Sequence, residues 1–189
     1  MENSNISVAS TPRANKGKSL DYLVDDYVLV DIETTGLSPQ KDDIIEIGAM
    51  KVKNNQVVDT FNTLLKINRK VPSYITKLTG ITTEMLEAEG KEATEVLKDF
   101  MDFAGENIIV GHNVNFDINF IYDKCEKYLN TPLSNDFIDT MKIAKRLVDT
   151  PNYKLGTLAE HFCVDYNGAH RGLKDVEITY EVYNKLKEF

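Results

Sequence analysis

Apolar positions fall first into runs of strand length, then into stripes at helical spacing. Tyr27 to Val30 is a continuous apolar, β-rich run ending in Asp31-Ile32-Glu33, the pattern of a buried central strand. Thr34 to Asp43 holds Gly36 and Pro39 and reads as a loop. Ile44 to Lys53 and Gln56 to Lys66 are two further strand-like runs. They are joined by Asn54-Asn55, a pair that tolerates the left-handed backbone of a tight hairpin. Pro72 opens a short helix predicted to end near Gly80.

Beyond that point the period changes. Ala93, Val96, Leu97, Phe100, Met101 and Ala104 lie at helical spacing within Glu92 to Ala104. Asn107 to Gly111 is a short apolar strand. Asn115 to Leu129 is helical, with Phe120, Ile121, Cys125 and Tyr128 as its inward stripe. Phe137 to Asp139 is another short strand, and Asp139 can cap a helix running to Val148. Helices are predicted around Leu155 to Phe162 and Arg171 to Lys187. A strand meander followed by alternating helices and strands predicts one α/β domain with a mixed sheet.

Composition bounds this picture. The chain has 189 residues, 42% hydrophobic and 28% charged, as a single globular domain should. No apolar run approaches the about 18 residues of a membrane span, and the polar N-terminus carries no signal-peptide core. Two cysteines, Cys125 and Cys163, cannot build a disulfide framework, so a reduced, cytoplasmic setting is expected. Residues 1–20 are read as a polar, flexible N-terminal tail and 21–189 as the domain.

The formal charge of −8 argues against a simple polyanion binder. Its distribution is uneven. Thr60 to Thr83 carries Lys66, Arg69, Lys70 and Lys77 and no acid, whereas Glu84 to Glu106 holds eight acids against Lys91 and Lys98. The acidic run reads as a solvated face.

Other acids are harder to assign to solvent. Asp31 and Glu33 lie two apart on a strand and so project from one face. At the end of a buried strand, two carboxylates are costly without a compensating cation. Asp117 shares the inward stripe of its helix with Phe120, Ile121 and Cys125, which a first-turn dipole partner would not need to do. Asp175 likewise lies in register with Ile178, Val182 and Leu186, and His170 stands five residues before it.

Four inward acids and one histidine from three distant segments suit two-metal phosphodiester hydrolysis. Mg²⁺ or Mn²⁺ takes hard oxygen ligands, and two ions roughly 3.5–4 Å apart stabilise both attacking and leaving oxygens. A histidine with a pKa near 6.5 suits removal of a water proton at neutral pH. Two divalent ions would take the formal charge from −8 to −4. His112 and His161 read as structural or surface residues, and neither thiol has a setting that would activate it.

VLVDIETTGLSP, VGHNVNFDINFI and HRGLKD, in this order and spacing, closely resemble the three motifs of the DnaQ-like (DEDDh) 3′→5′ exonucleases. The segments between them, DDIIEIGAMKV and LTGITTEML, are similar to the branch of the DNA polymerase III epsilon subunit and the PolC exonuclease domain. The resemblance spans roughly Tyr27 to Leu186. It implies a ribonuclease H-like fold with a five-stranded mixed sheet flanked by helices. It also implies two divalent cations held by Asp31, Glu33, Asp117 and Asp175, with His170 as general base. In the family Asp31 bridges both ions, Glu33 and Asp175 hold the one that activates water, and Asp117 supports the second. Arg171 stands where the tyrosine subclass would need Tyr. Thr34, Thr35, Gly36 and Leu37 match the segment that binds the 3′-terminal nucleotide, with Leu37 as an apolar wedge. Asn113 and Phe116 match the other side of that pocket.

One departure is Gly172, where the family often has Ala. Near a helix start that costs about 0.5–1 kcal/mol and removes no functional group. The implied substrate is a single-stranded or frayed 3′ end of DNA, with a DNA polymerase subunit as the implied partner. RNA trimming and a polymerase-docked module active only with its partner are the alternatives. A haloacid-dehalogenase-like phosphatase fits poorly, since no Lys and paired-Asp motifs follow the Asp31-x-Glu33-Thr34 strand end.

Overall fold

The computed structural model describes residues 12–189. Its strands are β1 (Ser19–Leu20), β2 (Tyr27–Thr34), β3 (Ile44–Lys53), β4 (Gln56–Leu64), β5 (Ile109–Gly111) and β6 (Phe137–Asp139). Its helices are α1 (Ser73–Thr79), α2 (Thr83–Glu89), α3 (Ala93–Ala104), α4 (Asn115–Leu129), α5 (Thr140–Leu147), α6 (Leu155–His161) and α7 (Gly172–Leu186). The strands form one mixed sheet in the order β1-β6-β5-β2-β3-β4. β2 is central, antiparallel to β3 and parallel to β5. Helices cover both faces. Val28, Val30 and Ile32 pack with α3 and α4 on one side, and Tyr27 and Leu29 pack with α5, α6 and α7 on the other. A smaller cluster of Ile45, Val71, Ile75, Ile81 and Leu86 seats α1 and α2 near the start of β3.

The α/β class, the mixed sheet and the flanking helices agree with the expected ribonuclease H-like fold. The sheet has six strands rather than five, because Ser19–Leu20 pairs in parallel with Phe137–Ile138 at one edge. That pairing also corrects the expected tail boundary at residue 20. Arg13 binds Asp123 through two hydrogen bonds of 2.6 and 2.7 Å. Lys16 donates to Asn115 at 2.5 Å and Asn119 at 2.6 Å, and Lys18 N–H donates to Asp136 at 2.7 Å. Polar side chains meeting partners on α4 and the β6 approach therefore fix residues 13–20. Residues 1–11 of that stretch lie outside the described residues.

Local chemistry accounts for the turns. Asn54 and Asn55 have φ of 49° and 60°, the paired left-handed residues of a two-residue hairpin between β3 and β4. Asp139 caps α5 by accepting the Met141 N–H at 3.0 Å. The acidic run from Glu84 to Glu106 is solvated, with Lys91–Glu95 and Lys98–Asp102 as one-turn ion pairs. Tyr128 departs from the expected inward stripe and is 39% exposed, whereas Phe120, Ile121 and Cys125 are buried. It lies in the last turn of α4, next to the Asn130 cap.

The contact that positions the chemistry is between two glycines. Gly48 lies opposite Asp31 in the sheet, and the start of α7 rests on it. A methyl at Gly48 would fall 2.1 Å from the Gly172 carbonyl carbon and 2.3 Å from the Leu173 nitrogen. A methyl at Gly172 would fall 2.8 Å from the Gly48 nitrogen. The departure from Ala at position 172 thus coincides with close backbone packing that delivers Asp175 to the end of β2. Gly48→Ala is expected to lower unfolding free energy by about 1–3 kcal/mol through overpacking. Urea denaturation would show this as a lower midpoint at unchanged slope; an unchanged midpoint would contradict the contact.

Candidate active site

β2 brings Asp31 and Glu33 to the sheet end on the α7 side, and the first turn of α7 brings Asp175 to meet them. Ligand oxygens of these three residues all lie within 4.8 Å of one another. The β2–β3 register shifts between Glu33 and Thr34, a bulge that ends regular pairing beside the acids. Asp117 approaches from α4. Its Oδ1 accepts the Ile32 N–H at 3.1 Å, which places it behind the β2 backbone and outside the tight group of three.

Burial and mutual repulsion raise these carboxyls. Burial is the main cause for Asp31, whose pKa is well above the usual carboxylate range; the charges of Asp117, Asp175 and Glu33 add to it. Glu33 is pushed to about 8 by burial and then by Asp175, Glu46 and Asp117, against a smaller opposing effect of Arg171. Burial also raises Asp117 to about 8, with the Ile32 N–H opposing. Asp175 is raised by burial, with the His170 N–H opposing. Its Oδ2 accepts that N–H at 2.9 Å, while its Oδ1 is buried with no hydrogen-bond partner among the described residues. An orphaned carboxylate oxygen facing other carboxylates fits a hard divalent cation.

His170 is exposed and adopts φ +70°, a left-handed conformation held by its main-chain bond to Asp175. Thr34 and Thr35 are buried. The Thr34 hydroxyl donates to the Gly36 carbonyl at 2.6 Å, and the Thr35 hydroxyl accepts the Asp43 N–H at 2.9 Å and an Arg69 N–H. Both hydroxyls therefore shape the loop, and Leu37, 85% exposed, projects from it. Asn113 is exposed with φ 56°, and its N–H donates to Asp139 at 2.9 Å. Phe116 is half-buried and packs on Phe120, ring centroids 4.8 Å apart. His112 binds the Thr140 hydroxyl at 2.9 Å, the structural role expected of it.

Sequence reasoning passed over Glu46 and the work of Arg171. Glu46 is fully buried and lies directly across from Glu33 in the β2–β3 ladder. Like charges in that position repel. Arg171 compensates Glu46 through hydrogen bonds of 2.8 to 3.3 Å, and Glu46 also accepts the Gly172 N–H at 2.9 Å. Glu33 has no such partner among the described residues. The signal was present: Glu46 interrupts an apolar run as Asp31 does. Arg69 was likewise noticed only as charge. It ties the Thr35 hydroxyl to Asp42 and Asp43, at 3.2 and 2.8 Å from the two carboxylates.

A central strand ending in clustered carboxylates, on a mixed sheet with helices on both faces, is a ribonuclease H-like arrangement. The exonuclease family model RNase_T matches residues 28–183. The chain belongs to this exonuclease family. It is 43% identical over 173 residues to the PolC-type DNA polymerase III of Caldanaerobacter subterraneus, covering 91% of this chain and 12% of that protein. It is 36% identical over 181 residues to the DNA polymerase III subunit epsilon of Aquifex aeolicus, covering 95% of this chain and 88% of that one. The chain thus spans only about an eighth of the PolC-type relatives it matches. In fold it is similar to a zinc-ion-bound E. coli ExoI–ssDNA complex, with TM-score 0.78 and 18% identity, over 88% of this chain and 41% of that one. No helix among the described residues is long and apolar enough to cross a membrane.

The raised carboxyls carry a sign. Glu33 holds its proton to about pH 8 when folded, against an ordinary value of 4.5, so the metal-free fold binds protons that the unfolded chain has released. Stability of the metal-free protein therefore falls as pH rises between these values. In EDTA, Tm is expected to be lower at pH 8 than at pH 6, and Mn²⁺ is expected to restore more at pH 8. A metal-free Tm that rises across this window would contradict the cluster's electrostatics.

Proposed function

We propose that the chain hydrolyses DNA from its 3′ end, releasing nucleoside 5′-monophosphates one at a time in a proofreading or repair role. The observation that carries this reading is the meeting of Asp31, Glu33 and Asp175 around an unpartnered, buried carboxylate oxygen. These three residues would hold one divalent cation, and Asp31 with Asp117 a second, Mg²⁺ or Mn²⁺. Such ions, when bound, supply positive charge to the attacking and leaving oxygens of the phosphodiester.

The protein's own groups do the rest. His170, exposed at the edge of the cluster, takes the proton of the attacking water as general base. Its main-chain bond to Asp175 couples the position of the base to the cation site. Leu37 lies against the terminal base, with Thr34, Thr35 and Gly36 shaping the loop beneath it. Asn113 and Phe116 close the opposite wall. Relatives that are components of DNA polymerase III support DNA as substrate, a polymerase partner and a cytoplasmic setting. The fold neighbour's single-stranded DNA supports a single-stranded or frayed 3′ end.

A gel assay tests the proposal. Purified protein is incubated with 5′-labelled single-stranded DNA or RNA of one sequence, with Mg²⁺, Mn²⁺ or EDTA. A metal-dependent ladder shortening from the 3′ end of DNA is expected. Asp31→Ala and His170→Ala are each expected to reduce it by at least about 100-fold while the fold is retained. Faster shortening of RNA would reassign the substrate, and full activity in Asp31→Ala would overturn the site.

A further inference from the structure

The basic stretch from Thr60 to Thr83 has one member engaged inside the protein, Arg69, which holds Thr35, Asp42 and Asp43. Lys66, Lys70 and Lys77 are exposed and form no ion pair among the described residues. Lys70 is close enough to Glu84 to favour that carboxylate's charged form, Lys66 lines a groove with Glu87 and Glu92, and Lys77 lies on α1, which carries no acid. On an otherwise acidic protein this is a surface complementary to phosphate.

α1 runs through the middle of it. Tyr74 and Leu78 lie one turn apart on one face of this helix and are 62% and 52% exposed. Leu37, on the neighbouring substrate loop, is 85% exposed. Single exposed apolar side chains are ordinary. These differ in being grouped, and in that Tyr74 is anchored: its hydroxyl donates to the Thr35 carbonyl at 3.2 Å. The ring is thereby fixed beside the nucleotide-binding segment with much of its surface open. An aromatic platform flanked by free ammonium groups is how proteins hold single-stranded nucleic acid without reading sequence.

We propose that Tyr74 and Leu78, with Lys70 and Lys77, form a track for the nucleotides upstream of the one being removed. Bases of single-stranded DNA stack on Tyr74 and its neighbour Leu78, and their phosphates pair with the two ammonium groups. A duplex offers no open base faces, so the track selects a 3′ end that has frayed by more than its last nucleotide. The inference rests on the exonuclease reading and extends it from the terminal nucleotide to the strand behind it.

The test compares two substrates in Mn²⁺. One is the p-nitrophenyl ester of thymidine 5′-monophosphate, which has no upstream nucleotides; the other is a dT oligonucleotide. The quantity read is the ratio of kcat/KM on the oligonucleotide to that on the ester. Tyr74→Ala is expected to lower the ratio about tenfold, and Tyr74→Phe, which keeps the ring, by less than about twofold. Lys70→Glu with Lys77→Glu is expected to lower the ratio and to flatten the salt dependence of oligonucleotide cleavage by roughly 1.4 in log–log slope. An unchanged ratio in the Tyr74→Ala and double-lysine variants, with ester hydrolysis intact, would overturn the track alone. A fall in Tyr74→Phe as deep as in Tyr74→Ala would also overturn it, assigning Tyr74 to loop positioning instead. Wild-type protein that cleaves neither substrate would overturn the exonuclease reading and the track with it.

Discussion

Like charge crowded at the end of one strand is the constraint around which this domain is arranged. Asp31, Glu33 and Asp175 place ligand oxygens within 4.8 Å of one another, and Asp117 and Glu46 add their fields. Left alone, such a group would drive its members apart or hold protons. The fold keeps them together with rigid backbone. β2 is buried on both faces, and α7 is pressed onto Gly48 by a glycine-to-glycine contact that tolerates no added carbon. Arg171 and the Gly172 N–H compensate Glu46, the fully buried acid opposite Glu33. What remains is a set of carboxylates that only a cation or protons can balance.

The loop between β2 and β3 is held by a second set of contacts. Arg69 pins Thr35 to the Asp42–Asp43 end of the loop, and Tyr74 grips the Thr35 carbonyl. Asp123 on α4 accepts from Arg13 of the N-terminal segment and from Gln40 of the same loop. α4 also carries Asp117 and Phe116, so this helix links the acid cluster, the loop between β2 and β3 and the N-terminal segment at Arg13. Asp123 on α4 and Tyr74 on α1 anchor these links to helices. That keeps the loop between β2 and β3 ordered although it is only partly buried.

Much of this was legible in the chain because the signals were periodic or chemically improbable. Four acids on apolar stripes or strand ends pointed to a cluster, and three of them, Asp31, Glu33 and Asp175, meet in the fold. The Asn54-Asn55 turn, the Asp139 cap and the α3 and α4 spacings identified elements, since each depends on residues adjacent in sequence. What escaped were pairings across sequence distance. β1 is two residues long, too short for any alternation to register, and it exists because β6 offers an open edge. The partnership of Glu46 with Arg171 joins residues 125 apart. Gly48 carries no pattern at all; its meaning lies in what α7 places above it. Thr34 and Thr35 were expected at the substrate, but their hydroxyls turn inward to close the loop, which the three-dimensional path alone decides.

The central claim is that this cluster is a cation site, and anomalous scattering from a Mn²⁺-soaked crystal tests it most directly. A Mn²⁺ peak bonded by Asp31, Glu33 and Asp175 is predicted, with the otherwise orphaned Oδ1 of Asp175 among its ligands. A second peak within about 4 Å, reached from Asp31 and Asp117, would complete the pair. An empty cluster at Mn²⁺ concentrations that support cleavage, or Mn²⁺ held instead by Asp42 and Asp43, would contradict it.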